Sequence, residues 1–272
     1  MMERKLYKKL IILTSVGALF LFGFSGCGGK KWEKVRVAVE GAYPPFSQTE
    51  ADGTVTGFDV DITYALCDAM EVECETISQE WDGMIPGLLA KKYDAIIASM
   101  SITEEREEKV NFTKKYYSTK TDFIGKKGLG LNITDDIENN KEVLKGLRIG
   151  VQNETVSDTY VKENYGDVAE IRRYGKQDEA NLDLVNGRLD LIFADTFAID
   201  YGFLRLKQGA DFELIGPGYS DEEWFGKGIG IAVRKEDEDL LKLLNEAIDT
   251  IRKDGTYEEI QGKYFQYDVY GN

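Results

Sequence analysis

The sequence predicts an α/β protein of two lobes, each a mainly parallel sheet flanked by helices, with two crossing strands as the hinge. Three observations carry this prediction. Strand-like and helix-like patterns alternate in the first part of the chain, which is the order expected of a parallel α/β sheet. The alternation starts again near residue 147, and a further strand-like run near residue 229 returns the chain to the first unit. The crossings are expected near 118–121 and 225–228.

Each element follows from a short apolar run or from apolar residues at helical spacing. In the first unit, strands are expected over 35–39, 74–77 and 93–100, and helices over 58–70 and 84–89. In the second unit, strands are expected over 147–151, 169–174 and 189–194, and helices from residue 155 and over 179–186. After the second crossing, a strand over 229–233 precedes a helix whose apolar stripe runs from residue 240 to 251.

Charge and composition exclude several classes of function. The chain has 34 Lys and Arg against 49 Asp and Glu, a net charge of −15, so no nucleic-acid partner is expected. Histidine is absent, which rules out Ser-His-Asp and Cys-His catalysis and any imidazole metal ligand. The three cysteines are too few for a Cys₄ zinc site. No metal site is therefore expected, and nothing in the composition implies a cofactor.

The N-terminus is typical of an export signal. A basic cluster precedes Leu10–Phe24, an apolar run of 15 residues that is shorter than the roughly 20 needed to span a bilayer. Small residues then precede Cys27, which resembles the lipobox of bacterial lipoproteins, although Phe24 stands where those usually have Leu. We expect a signal peptide over 1–26, a tether over 27–33, and a diacylated Cys27 that anchors the chain on the extracytoplasmic face of the cell membrane. The alternative is an ordinary signal peptide or an uncleaved anchor.

Two further cysteines, Cys67 and Cys74, lie seven residues apart near the expected end of a helix. An exported chain meets an oxidising compartment, which permits a disulfide between them. Two buried free thiols are the alternative.

Long stretches of the chain resemble the polar-amino-acid solute-binding proteins of ABC importers. The stretches are VRVAVEGAYPPFS at 35–47, TGFDVDI at 56–62, WDGMIPGLLAKKYDAIIASMSITEER at 81–106, GRLDLIFAD at 187–195 and RKDGTYEEIQGKYFQYDVYG at 252–271. The likeness is to the lysine/arginine/ornithine-binding and histidine-binding branch, which also shares the spacing of the two cysteines. It implies the two-lobe periplasmic-binding-protein fold, with lobe 1 over 34–119 plus 227–272 and lobe 2, including the hinge crossings, over 120–226.

The resemblance also implies a set of residues for the common part of an amino acid. Arg106 matches the arginine that binds the ligand carboxylate, for which a planar guanidinium is suited. The helix that begins near Thr155 would add backbone N–H groups, although Val156 lacks the hydroxyl often found at its position. Asp195 matches the partner of the ligand ammonium. Further contacts are expected from Ser99 and Ser101. The alternatives are a surface role for Arg106 and a helix N-cap role for Asp195.

The ligand side chain is expected to meet a different set of residues. Tyr43 and Trp81 match two aromatic residues that sandwich it, and a guanidinium or aliphatic stem stacks well between such rings. Glu40 matches an acidic residue that faces its distal group, which favours a cationic ligand. Trp81 as a core residue is the alternative, and relatives that bind glutamine also carry an acid at the position of Glu40.

The sequence therefore predicts the extracytoplasmic substrate-binding component of an ABC amino-acid importer, a monomer that delivers its ligand to a permease and its ATPase. Arginine or lysine is the favoured ligand, and glutamine or another polar amino acid is the alternative. No enzymatic activity is expected. The rival class is an enzyme like the cyclohexadienyl dehydratases, which share the scaffold, with Glu154 as the candidate acid.

Overall fold

Two five-stranded sheets organise the computed structural model, which describes residues 32–271. The first sheet has the strand order β5-β1-β6-β13-β7 and the second has the order β10-β9-β11-β8-β12. A small third sheet, β2-β3-β4, is antiparallel. We call the part around the first sheet lobe 1 and the part around the second lobe 2. Cys27 and the expected signal peptide lie outside the described residues.

The strands are short, and the longest has eight residues. They are β1 (Lys34–Val39), β2 (Ala42–Tyr43), β3 (Ser47–Thr49), β4 (Val55–Thr56), β5 (Glu73–Ser78), β6 (Ala95–Ile96), β7 (Asn111–Phe112), β8 (Thr121–Lys126), β9 (Arg148–Gln152), β10 (Glu170–Tyr174), β11 (Leu191–Asp195), β12 (Phe212–Tyr219) and β13 (Ala232–Val233).

Helices cover both sheets. They are α1 (Phe58–Met70), α2 (Met84–Leu89), α3 (Glu104–Lys109), α4 (Ile137–Leu144), α5 (Val156–Tyr165), α6 (Gln177–Val185), α7 (Thr196–Ile199), α8 (Glu222–Phe225), α9 (Glu238–Lys253) and α10 (Thr256–Tyr264). Short 3₁₀ turns at Trp81–Gly83 and Lys207–Gly209 and a π-helical turn at Asp200–Leu204 complete the set. Among residues 32–271, no helix is long and apolar enough to cross a membrane.

The α/β fold is confirmed, but the expectation of mainly parallel sheets is corrected. In each sheet two pairings are parallel and two are antiparallel. The reason lies in how the chain enters each lobe. Strand β8 begins beside the end of β11, with Thr121 opposite Asp195, because the chain arrives from lobe 1 at the edge where the other strands finish. A strand that enters at that edge must run against its neighbours.

Two differences from the expected elements concern the region between the lobes. Only Ala95–Ile96 of the expected strand over 93–100 is a strand, because the chain turns at Ser99, whose φ is +53°. Strands β8 and β12 were not expected, since neither carries a continuous apolar run. Both supply the antiparallel side of the second sheet.

The core of lobe 1 explains why its helices lie where they do. Helix α1 buries Ile62 and Leu66, and α9 buries Leu244 and Ile248 in the same apolar cluster against β1. At the end of α1, a disulfide joins Cys67 to Cys74 in β5, with Cα atoms 6.1 Å apart. The expected pairing of these cysteines is therefore confirmed.

Candidate functional site

A cavity lies between the two sheets, at the ends where their strands finish. Glu40 directly follows β1, while Gln152 and Asp195 are the last residues of β9 and β11. Ligands in α/β proteins bind at such strand ends. All nine residues predicted to bind the ligand line this cavity, namely Glu40, Tyr43, Trp81, Ser99, Ser101, Arg106, Thr155, Val156 and Asp195. Their roles toward a ligand stay predictions.

Arg106 is the one buried residue of α3, and the surface alternative is therefore wrong. Thr103 caps this helix by accepting a hydrogen bond from the backbone N–H of Arg106. The guanidinium donates to the backbone carbonyls of Ser101 at 3.0 Å and Glu154 at 3.2 Å. Burial lowers its pKa to about 10, and within residues 32–271 it forms no ion pair. A buried cation without an anionic partner can bind a carboxylate.

The N-terminus of α5 faces the same cavity. Thr155 is the N-cap, and its hydroxyl donates to the carbonyl of Gln152 and accepts from the N–H of Asp158. The hydroxyl is thus occupied locally. The N–H groups of Val156 and Ser157 have no partner inside the helix, because they belong to its first turn. Both residues line the cavity, so the helix offers backbone donors to an anion.

Asp195 serves as a helix cap and also lines the cavity. Its Oδ1 accepts hydrogen bonds from the N–H groups of Phe197 at 2.8 Å and Ala198 at 2.9 Å, which begin α7. The N-cap alternative is therefore right about this residue, and it is compatible with a ligand contact. Asp195 as a whole is 8% exposed, and burial raises its pKa to about 6 against the effect of these hydrogen bonds.

Ser99 is held by a buried carboxyl that the sequence analysis missed. Its hydroxyl donates to Asp59 at 3.1 Å, and its N–H donates to the hydroxyl of Tyr116 at 3.3 Å. Tyr116 itself donates to Asp59 at 2.8 Å. Ser99 therefore offers acceptors, not donors, to the cavity. Burial raises the pKa of Asp59 to about 7. An acid within the apolar face of α1 was the available signal for this residue.

The two aromatic residues come from different elements of lobe 1. Tyr43 is in β2, and Trp81 begins the 3₁₀ turn before α2. The Trp81 ring lies 5.2 Å from the centre of the Arg106 guanidinium, and its Nε1 donates to the backbone carbonyl of Glu154 at 3.2 Å. Trp81 is half-buried: it lines the cavity and also packs against the apolar cluster that includes Met84 and Leu88, so the core alternative is right in part and is compatible with a place at the cavity.

Glu40 makes a direct contact between the lobes. Its Oε1 accepts a hydrogen bond from Nε2 of Gln152, 2.6 Å away. Glu40 as a whole is 8% exposed, and burial raises its pKa to about 7, although the Gln152 contact opposes that shift. Gln152 was not among the predicted residues. The signal that could have identified it is its place at the end of a buried strand.

Glu154 bears on the enzyme alternative. Its φ of +57° is in the left-handed region, and its side chain is exposed. It lines an outer groove between the lobes and is not among the residues that line the cavity. Only its backbone carbonyl reaches inward, to Trp81 and Arg106. The side chain named as a candidate acid is therefore not placed to act on a molecule in the cavity.

The chain is similar in sequence to a known protein family. The family model of bacterial extracellular solute-binding proteins, family 3, matches residues 35–267. The chain belongs to this family. The L-arginine-binding protein of Pseudomonas aeruginosa is 45% identical to this solute-binding protein over 97% of this chain and 99% of the relative. The histidine-binding periplasmic protein of Salmonella typhimurium is 39% identical over 88% of this chain and 90% of the relative.

Solved structures give the same result for the fold of this solute-binding protein. An ancestral arginine-binding protein bound to arginine superposes with a TM-score of 0.77 at 32% identity, over 86% of this chain and 98% of the other. An ancestral arginine-binding protein bound to glutamine superposes with a TM-score of 0.77 at 31% identity, over 88% of this chain and all of the other. The family resemblance and the two-lobe fold are thereby confirmed.

Proposed function

We propose that this solute-binding protein binds one free polar L-amino acid, with arginine or lysine favoured, as the extracytoplasmic substrate-binding component of an ABC importer. The observation that carries the proposal is one cavity that holds a buried guanidinium, a helix N-terminus and two buried carboxyls. An amino acid with a cationic side chain carries one anionic and two cationic groups. The charges of the cavity are complementary to all three.

In this proposal the backbone groups of the ligand contact both lobes. Arg106 from lobe 1 and the N–H groups of α5 from lobe 2 hold the carboxylate, so the ligand stabilises the closed arrangement of the lobes. Asp195 holds the ammonium, with Ser99 as a further acceptor. Ser101 positions Arg106 through its carbonyl.

The side chain of the ligand then lies between Tyr43 and Trp81, with its terminal cation toward Glu40. Two relatives support the choice of a cationic or polar side chain, because they are named for arginine and histidine. Glutamine is the second candidate. It is favoured by the ancestral arginine-binding protein that was solved with glutamine bound.

A thermal-shift screen of the twenty amino acids plus ornithine tests this function. A ligand present at 100 times its dissociation constant should add about 2.7 kcal/mol to the free energy of unfolding. Arginine or lysine should give the largest shift. Arg106→Ala should then weaken the binding of every amino acid by roughly 2–5 kcal/mol, measured by isothermal titration, because the ligand carboxylate loses its buried partner. No shift with any amino acid, or unchanged affinity in Arg106→Ala, would contradict the proposal.

We further propose that a lipid on Cys27 anchors the mature protein, a monomer, beside its permease. The support is the short apolar run before Cys27, which is insufficient to span a bilayer. Cys27→Ser should move the protein from the membrane fraction to the soluble fraction, because acyl chains supply the membrane affinity. Cys67→Ser with Cys74→Ser is the matched control and should stay with the membrane. A Cys27→Ser protein that remains on the membrane would show that an uncleaved N-terminus holds it.

A further inference from the structure

One wall of the cavity is formed by the carboxylate of Glu40 and the amide of Gln152, with the backbone carbonyl of Gly175 behind the amide. We call these three groups the acidic wall. Both side chains line the cavity, and Gln152 is 3% exposed and Glu40 8%. They come from different lobes and are 112 positions apart in sequence. The family resemblance pointed to Glu40 alone. Gln152 has no role in the proposal above.

The orientation of the Gln152 amide follows from its neighbours. Its Nε2 lies 2.6 Å from Oε1 of Glu40 and 3.2 Å from the carbonyl oxygen of Gly175. When Glu40 is ionised, both neighbours are acceptors, so the nitrogen must face them, since a flipped amide would set oxygen against oxygen. An amide nitrogen has two hydrogens, and both are used. The amide therefore has no donor left for a ligand.

What remains on the wall is a set of acceptors. Neither Oε1 of Gln152 nor Oε2 of Glu40 makes a side-chain hydrogen bond within residues 32–271. Both atoms belong to residues that are more than nine-tenths buried beside the cavity. Neither atom is among the buried side-chain atoms of these residues that lack a partner, so both are open to the cavity, and a ligand that displaces water from it must supply them with donors.

We propose that Gln152 determines specificity: its amide, locked by Glu40 and Gly175, presents only oxygen and selects a side chain that ends in donors alone. A guanidinium or an ammonium meets that requirement, whereas an amide or ureido group brings an oxygen that faces other oxygens. This inference rests on the proposed function, because it concerns the side-chain end of the same cavity. Sites built around buried polar groups reject mismatched ligands far more strongly than apolar pockets do.

Arginine and citrulline are the probes, because citrulline replaces one guanidinium nitrogen by oxygen and keeps the shape. Titrations at pH 8 keep Glu40 ionised, since its pKa is about 7. The wild type should bind arginine at least about 100-fold more tightly than citrulline. Gln152→Leu should reduce that ratio at least about tenfold, because arginine loses an acceptor and citrulline loses an opposing oxygen. Gln208→Leu, at an exposed glutamine of lobe 2, is the matched control and should keep the wild-type ratio.

The outcomes separate this inference from the proposed function. A ratio within threefold of the wild type in Gln152→Leu overturns the role of Gln152 and leaves amino-acid binding intact. If citrulline binds the wild type as tightly as arginine does, the acidic wall does not present acceptors alone. This measurement needs no variant. A wild type that binds neither these probes nor any other amino acid overturns the proposed function itself. If Gln152→Leu does not fold, Gln152→Met makes the same test, since it also removes the amide and keeps the length.

Discussion

Arg106 donates a hydrogen bond through Nη2 to the backbone carbonyl of Glu154, 3.2 Å away in the other lobe. The same carbonyl accepts from Nε1 of Trp81, also at 3.2 Å. One backbone oxygen of lobe 2 thus accepts hydrogen bonds from two cavity residues of lobe 1. It is aimed there by the left-handed conformation of Glu154, which is unfavourable for a residue with a Cβ atom.

The protein should be more stable with glycine than with glutamate at position 154. Glu154→Gly should raise the free energy of unfolding by about 0.5–1 kcal/mol, because glycine adopts a positive φ without steric cost. Ligand affinity should stay within about threefold, since the contacts use the backbone carbonyl. Thermal or urea unfolding and isothermal titration make the two measurements. Glu163→Gly, at an exposed position inside α5, is the control and should lower the free energy of unfolding by about 1 kcal/mol. A decrease of that size in Glu154→Gly would contradict the prediction.

The two roles of Asp195 should separate by substitution. Asp195→Asn should keep the helix cap and the thermal stability, because asparagine caps helices as well as aspartate does. It should nevertheless weaken the binding of all amino-acid ligands by roughly 2–5 kcal/mol, because the ligand ammonium loses its charged partner. Asp195→Ala should lose affinity and also about 1 kcal/mol of stability.

Asp136→Ala provides the converse control for Asp195. Asp136 caps α4 by accepting from the N–H groups of Glu138 and Asn139, and it is not among the residues that line the cavity. Its loss should cost about 1 kcal/mol of stability without changing ligand affinity. Normal affinity in Asp195→Asn would show that Asp195 is a cap and nothing more.

Arginine affinity should fall as the pH is lowered from 8 to 6. The pKa of Glu40 is about 7 and that of Asp195 about 6, both raised by burial. Near pH 6 about nine-tenths of Glu40 carboxyls and half of Asp195 carboxyls are protonated, and a cation binds only the ionised forms. The combined loss should be about 20-fold. A neutral ligand such as glutamine should lose only about twofold, through Asp195, and an arginine affinity that is flat over this range would contradict the assignment of Glu40.

The ligand-free protein should show the opposite trend with pH. For Glu40, Asp59 and Asp195, the pKa in the folded state lies above that in the unfolded state. The folded state therefore binds more protons between about pH 4 and pH 7, and these groups make it more stable as the pH falls through that window. Thermal unfolding without ligand should give a higher midpoint near pH 5.5 than near pH 8.

Reduction of the disulfide should destabilise lobe 1 without affecting the cavity. The loop closed by Cys67 and Cys74 is short, so its loss should cost about 2.5 kcal/mol. Unfolding with and without a reductant measures this value. The double variant Cys67→Ser, Cys74→Ser should be insensitive to the reductant. A wild type with the same stability under both conditions would show that the disulfide does not form in solution.

Much of the site was determined by local sequence. Arg106 is placed by a short helix that begins after its N-cap Thr103, and Asp195 by the end of an apolar strand. The family resemblance predicted both residues and no pattern predicted α3, but the features that place them depend on residues within a few positions of each other. For the same reason α2 and α1 were predicted within their observed bounds.

Tertiary structure alone decided the contacts between the lobes. The hydrogen bond from Gln152 to Glu40 joins residues 112 positions apart, and the pKa values of the cavity carboxyls are raised chiefly by burial in the folded chain. The antiparallel strands β8 and β13 likewise depend on the edge at which the chain enters each lobe. A local pattern records which residues are buried, but the partner that each finds depends on how two separate sheets come to face one another.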